Sequence, residues 1–150
     1  MKQIFKVMLM VLVLSTPFSY IHELGHAIAC AAAGFKPEIA ISVLYGQTFC
    51  DGNIGDPFIF QVSGGLFAAA VAAVGTALTL HRVKWLGVAL LSMLTGHGIN
   101  AISEGFFNAW YQESGYLIMI PNIIILFIYL HIFFRKKPIN DWISKLEVKE

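Results

Sequence analysis

The chain has 150 residues, 57% of them hydrophobic and only 13% charged, with a mean hydropathy of +0.72; soluble domains carry about 45 to 50% apolar and about 25% charged residues. Ten Lys and Arg against nine Asp and Glu leave a net charge of +1, which provides no basic field for a phosphate backbone and excludes nucleic acid as a partner. The apolar surplus makes the lipid bilayer the solvent, and the length suits one compact unit, expected over residues 1–137.

A spanning helix needs about 20 mainly apolar residues, and four runs qualify. The first covers about residues 7–33 and is interrupted by Pro17, whose ring removes a backbone donor and is expected to kink the helix. Its basic start resembles a secretory signal, but Thr16-Pro17-Phe18-Ser19 is a poor cleavage site and apolar character continues to Ala33, so an uncleaved helix is expected. Residues 34–57 follow, with β-type composition over Glu38 to Tyr45 and turn signals at Asp51-Gly52-Asn53 and Gly55-Asp56-Pro57, which suits a short hairpin at the membrane surface. The second span, about 58–80, is rich in Gly and Ala and so suited to close helix contact. The third and fourth cover about 85–107 and 116–134, and a charged peripheral tail is expected over 138–150. The fold class expected is therefore an all-α membrane protein of about four spans with a β-hairpin-like segment between the first two.

Lys2 and Lys6, then His81-Arg82 with Lys84, then Arg135-Lys136-Lys137 all fall on one side of this arrangement. The positive-inside rule puts both termini in the cytoplasm and residues 34–57 outside. Cys30 lies in an apolar run and Cys50 in a polar segment; two such cysteines read as neither a disulfide framework nor a zinc ribbon and say little about compartment.

The first span contains His22-Glu23-Leu24-Gly25-His26, an HExxH pattern. Residues four apart share a helix face, so both imidazoles can reach one Zn2+ while Glu23 stands beside them as a general base. Ionisable groups inside a span cost about 2.5 to 3.5 kcal/mol each on insertion scales, and a divalent cation compensates three of them at once. Solvated groups at an interfacial helix end are the bland alternative, but the apolar stretch from Ala27 to Ala33 sets the motif below the surface. A catalytic zinc takes a third protein ligand. On the third span His97, Asn100 and Glu104 form one polar stripe at spacings of three and four, expected to face the first helix. By chemistry either Glu104 or His97 can ligate; a hydrogen-bonded interhelical contact accounts for Asn100 comfortably and for a carboxylate at depth poorly. His81 and His131 read as solvated or interfacial, and Asp51 and Asp56 as turn residues first and reserve ligands second.

Over Ile21 to Gly46, where the HExxH motif is followed by Ala27 and small residues, Gly34-Phe35-Lys36 and the β-like Ile39 to Gly46, the chain resembles the site-2 protease family of intramembrane zinc metalloproteases. A fainter match is Asn100 to Gly105, because the family carries an Asn, often a Pro, and an Asp-Gly pair on its third core helix; here the Pro is missing and Glu104-Gly105 replaces Asp-Gly. The resemblance implies His22, His26 and Glu104 as zinc ligands and Glu23 as the catalytic base. It also implies a membrane-anchored protein as substrate, and a multi-pass protein of a prokaryotic cell membrane. Asn100 or His97 is placed by proximity alone to bind substrate or the developing oxyanion. Family members commonly turn the motif end of this helix toward the cytosol, whereas the charges here turn it outward. The competing expectations are a non-catalytic membrane protein that binds or transports metal ions, and a degenerate protease that binds helices without cutting.

Overall fold

The computed structural model describes residues 2–41 and 46–135. Its helices and strands run α1 (Lys2–Ala32), β1 (Pro37–Ile41), β2 (Gly46–Cys50), α2 (Pro57–Thr79), α3 (Lys84–Phe106), α4 (Asn108–Ser114) and α5 (Met119–Phe134), with a 3-10 turn, Gly115–Ile118, leading into α5. Among the described residues, four helical stretches are long and apolar enough to cross a membrane: α1, α2, α3 and Gly115–Phe134. They coincide with the four runs expected from hydropathy, save that α1 starts at Lys2, five residues before the first apolar run. The expected charged tail, 138–150, lies outside the described residues.

Large apolar side chains point outward along these helices, as Leu12 at 70% and Val74 at 62% exposure illustrate. Such surface is tolerable only against lipid. The packed interior is small and lies between the helices. Val7, Val88, Ala89 and Leu130 form one cluster toward the amino end of α1, and Phe18, Ala68, Ala72 and Leu90 form the other beside the HExxH turn.

Glycine sets the helix spacing. A Cβ at Gly25 would stand 2.5 Å from the Ser63 carbonyl, and one at Gly65 would stand 2.5 Å from the Ala101 amide. Only bare Cα atoms let α1 reach α2, and α2 reach α3, this closely. Pro17 sits within α1, where it leaves one carbonyl of the preceding turn without its usual donor. Asp56 caps α2, its Oδ1 accepting from the Phe58 and Ile59 amides at 3.0 and 3.4 Å, and Pro57 opens the helix where no amide is needed.

β1 and β2 pair antiparallel with Ile39 opposite Thr48 and Pro37 opposite Cys50. The hairpin is real but shifted in register from its expected place: its second strand is Gly46–Cys50, whereas the β-type composition stopped at Tyr45. Residues 42–45 lie outside the described residues. Asp51 ties off the open end, accepting from the Lys36 amide at 2.7 Å.

Cys30 and Cys50, which read in the sequence as neither a disulfide framework nor a zinc ribbon, are joined in a single disulfide. Cysteine spacing signals a framework only when several cysteines share it, and here one bridge across a sequence separation of 20 pins the end of β2 to the last turns of α1. Only the folded hairpin brings the two sulfurs together.

Candidate metal centre

His22, Glu23 and His26 are buried on α1, and Glu104 is buried on α3. The one-turn spacing puts both imidazoles on the face of α1 that meets α2 and α3. His22 Nε2 lies 3.2 Å from His26 Nε2 and 3.1 Å from Glu104 Oε1, and His26 Nε2 lies 3.6 Å from Glu104 Oε2. Ligand atoms about 2.0 to 2.1 Å from a shared tetrahedral ion stand about 3.3 to 3.4 Å apart. The three observed separations straddle that edge length, and the three residues form a buried group able to hold a metal ion.

The donor chemistry agrees with the distances. His26 Nδ1 is 2.7 Å from the Phe60 carbonyl oxygen; a carbonyl only accepts, so Nδ1 carries the hydrogen and the neutral ring presents its lone pair at Nε2. An outer partner of this kind is what orients a metal-ligating histidine. Ser63 Oγ, which donates to the same carbonyl at 2.6 Å, reinforces it. His22 Nδ1 and Glu104 Oε2 are buried with no hydrogen-bond partner among the described residues. The Nε2 atoms of His22 and His26 and the Glu104 carboxylate thus converge below the surface, an arrangement that suits a cation. Space is reserved as well: a Cβ at Gly64 would stand 2.3 Å from His26 Nε2.

Glu23 faces the same space but is held by the hairpin. Thr48 Oγ1 lies 2.8 Å from Glu23 Oε2 and 3.0 Å from the Glu23 carbonyl, so its one hydrogen can serve either acceptor. Gly46 lets β2 close in, since a Cβ there would meet Glu23 Cγ at 2.6 Å. The hairpin therefore fixes the carboxylate beside the imidazoles.

These groups open on a cavity of about 640 Å3, lined among others by Gln47, Thr48, His97, Asn100, Asn108 and Tyr111, a size usual for ligand sites. His97 stands next to the cluster and outside it: its ring stacks on Phe18 at 5.6 Å and lies 5.5 Å from the His22 ring. Asn100 reaches the cavity wall one turn from Glu104. His81 and His131 are exposed and take no part. Asp51 and Asp56, the reserve ligands, are occupied in closing the hairpin and capping α2.

Tyr111 was not singled out in the sequence. It stands on α4, in the connection between the third and fourth spans, where no helix was expected because seven residues carry too little hydropathy to register. Its phenol hydrogen-bonds Glu104; burial foremost, then the negative charge of that carboxylate, pushes its pKa well above the usual tyrosine range. It remains a donor to Glu104 at any working pH. Thr48 was also missed, being an ordinary strand residue until the hairpin folds onto α1.

No protein-family model matches the chain, and none of the curated proteins or solved structures matches it either.

Proposed function

We propose that the protein is an intramembrane zinc metalloprotease that hydrolyses a peptide bond in or near the transmembrane segment of a membrane-anchored protein. The observation that carries this reading is the convergence of His22, His26 and Glu104 at ligand-edge distances, with a second carboxylate, Glu23, held beside them by Thr48 and aimed at the same cavity. A scaffold or ion-binding site has use for the first three residues; Glu23, which no ligand geometry needs, is the part a hydrolase requires.

Two imidazoles and one carboxylate form a donor set suited to zinc, with one position left for chemistry. Held by His22, His26 and Glu104, zinc would supply Lewis acidity toward a scissile carbonyl and a water nucleophile near neutral pH. The chain does the rest. His26, its tautomer set by the Phe60 carbonyl, would offer its Nε2 lone pair to the ion. The Glu23 carboxylate takes one proton from the attacking water and returns it to the departing amine. Thr48 holds that carboxylate in one rotamer, so little reorganisation is needed during proton transfer. Tyr111 anchors Glu104, and Asn100 and His97 offer polar groups from the opposite wall to the substrate backbone. A substrate helix must unwind locally, because a carbonyl already hydrogen-bonded within a helix does not present itself to attack; the polar cavity wall compensates the amides so released.

The experiment compares Glu23→Gln with His22→Ala in detergent-solubilised and vesicle-reconstituted protein. Glu23→Gln retains zinc and abolishes Glu23-dependent fragments of membrane proteins; His22→Ala loses both. Equal loss of zinc in the two variants, or unchanged fragments in Glu23→Gln, refutes hydrolysis and leaves the metal-binding or transport alternative.

A further inference from the structure

The two ends of the bundle differ in chemistry. At one end, Lys6 Nζ lies 5.9 Å over the Trp85 ring, and Lys84 Nζ lies 5.8 and 5.6 Å over the rings of Phe133 and Phe134. These contacts bring the start of α1, the α2–α3 turn and the end of α5 to a single level. Arg82, two residues before Lys84, and Arg135, directly after Phe134, belong to that level by chain adjacency. At the other end lie the hairpin, Asp51, Asp56 and the Cys30–Cys50 disulfide. The metal centre belongs to this second end: His22 is about 24 Å along the α1 axis from Lys6, and His26 about 9 Å from Ala32, at 1.5 Å per helical residue.

Two independent rules then apply to one molecule. Basic clusters stay on the cytoplasmic side, and disulfides form and persist in oxidising compartments, being rare where glutathione and thioredoxin keep thiols reduced. Either could mislead alone, but the cations and the disulfide occupy opposite ends, so both give the same orientation. The bridge is also tied to the site. Cys30 is one turn beyond His26, Cys50 is two residues beyond Thr48, and Thr48 holds Glu23.

We infer that the metal centre opens to the extracytoplasmic, oxidising side of the membrane, that its hairpin wall is locked by the Cys30–Cys50 disulfide after export, and that it takes polypeptide presented from that side. The substrate class rests on the proteolytic reading: the outward ends of spanning segments and the extracytoplasmic residues flanking them, with the soluble fragment released outside the cell. The sidedness itself requires neither proteolysis nor zinc. It is opposite to the disposition common in the family the motif resembles.

The test uses the full chain in bacterial cells. Wild-type protein, acid-quenched and then treated with maleimide-polyethylene glycol, stays unshifted unless first reduced, and then gains two adducts; adducts without reduction overturn the inference. In a Cys30→Ser/Cys50→Ser background, Gln47→Cys, on the cavity wall, reacts more than tenfold faster with an impermeant methanethiosulfonate in spheroplasts than in inverted vesicles, and Arg82→Cys does the reverse. The opposite pattern overturns the inference. Should the double serine variant fail to accumulate, Arg82→Cys in the disulfide-bonded wild type carries the one free thiol and reads the sidedness alone. Zinc content is measured on the same membranes. Expected labelling without zinc sinks the proposed function and leaves the orientation standing, whereas reversed labelling in a zinc-loaded protein does the converse.

Discussion

Gly64→Ala is the sharpest local perturbation of the candidate metal centre. The three atoms nearest an added Cβ all belong to the His26 ring: Nε2 at 2.3 Å, Cδ2 at 2.7 Å and Cε1 at 2.7 Å. Carbon contacts are comfortable at about 3.5 Å, so the ring must retreat by about 1 Å, whereas metal–ligand distances tolerate about 0.2 Å. The retreat also strains the 2.7 Å contact from Nδ1 to the Phe60 carbonyl, whose loss adds about 1 kcal/mol. Removing one protein ligand and its orienting bond is expected to weaken zinc binding at least 100-fold, about 2.8 kcal/mol at 1.4 kcal/mol per decade. The helix itself is not weakened, because Ala is intrinsically better than Gly in a helix interior by up to about 1 kcal/mol. The assay is a zinc titration against a competing chelator in detergent, with helicity followed by circular dichroism. Gly98→Ala is the control, since nothing lies within 4 Å of a Cβ there. Wild-type zinc affinity in Gly64→Ala would refute the assignment of His26 Nε2 as a ligand atom.

Thr48→Val removes the donor that holds Glu23 and leaves the two imidazoles untouched, so zinc affinity stays within a few-fold of wild type while the rate of fragment production falls about tenfold to a hundredfold; a matching loss of zinc would mean that the hairpin supports the ligands instead. Tyr111→Phe deletes the hydrogen bond to Glu104 and is expected to weaken zinc about tenfold to a hundredfold with little change in thermal stability, and an unchanged zinc affinity would remove Tyr111 from the account. Cys30→Ser/Cys50→Ser opens a loop spanning a sequence separation of 20 and is expected to lower unfolding stability by about 3 kcal/mol in the loop-entropy treatment; an unaltered denaturation midpoint would show that the hairpin is held by its other contacts.

The spans were legible because each is a long apolar run ended by charge or by Gly and Pro, a signal carried by some twenty residues at once. The face shared by His22 and His26 was equally legible, since helical periodicity fixes it locally. Glu104 was reachable through the cost of a carboxylate at depth, although choosing between it and His97 needed the rotation of α3 against α1. Gly65 and Ala101 set that rotation by close backbone approach, which no single-helix pattern encodes. Thr48, Tyr111 and the Cys30–Cys50 bridge were illegible for a shared reason. Each acquires its role from a contact between segments distant in sequence, and Thr48, Cys50 and Tyr111 sit in short elements with no periodic signature. The second strand was missed because Gly46 and Gln47 lack β-type composition; its pairing follows from the bridge and from Thr48 reaching Glu23.

Metal analysis of purified protein bears most directly on the account. Wild type, Glu23→Gln and His97→Ala are expected to carry stoichiometric zinc after loading and desalting, and His22→Ala, His26→Ala and Glu104→Ala to carry almost none. Zinc lost from His97→Ala but kept by Glu104→Ala, or a wild-type protein that holds no metal, would contradict it.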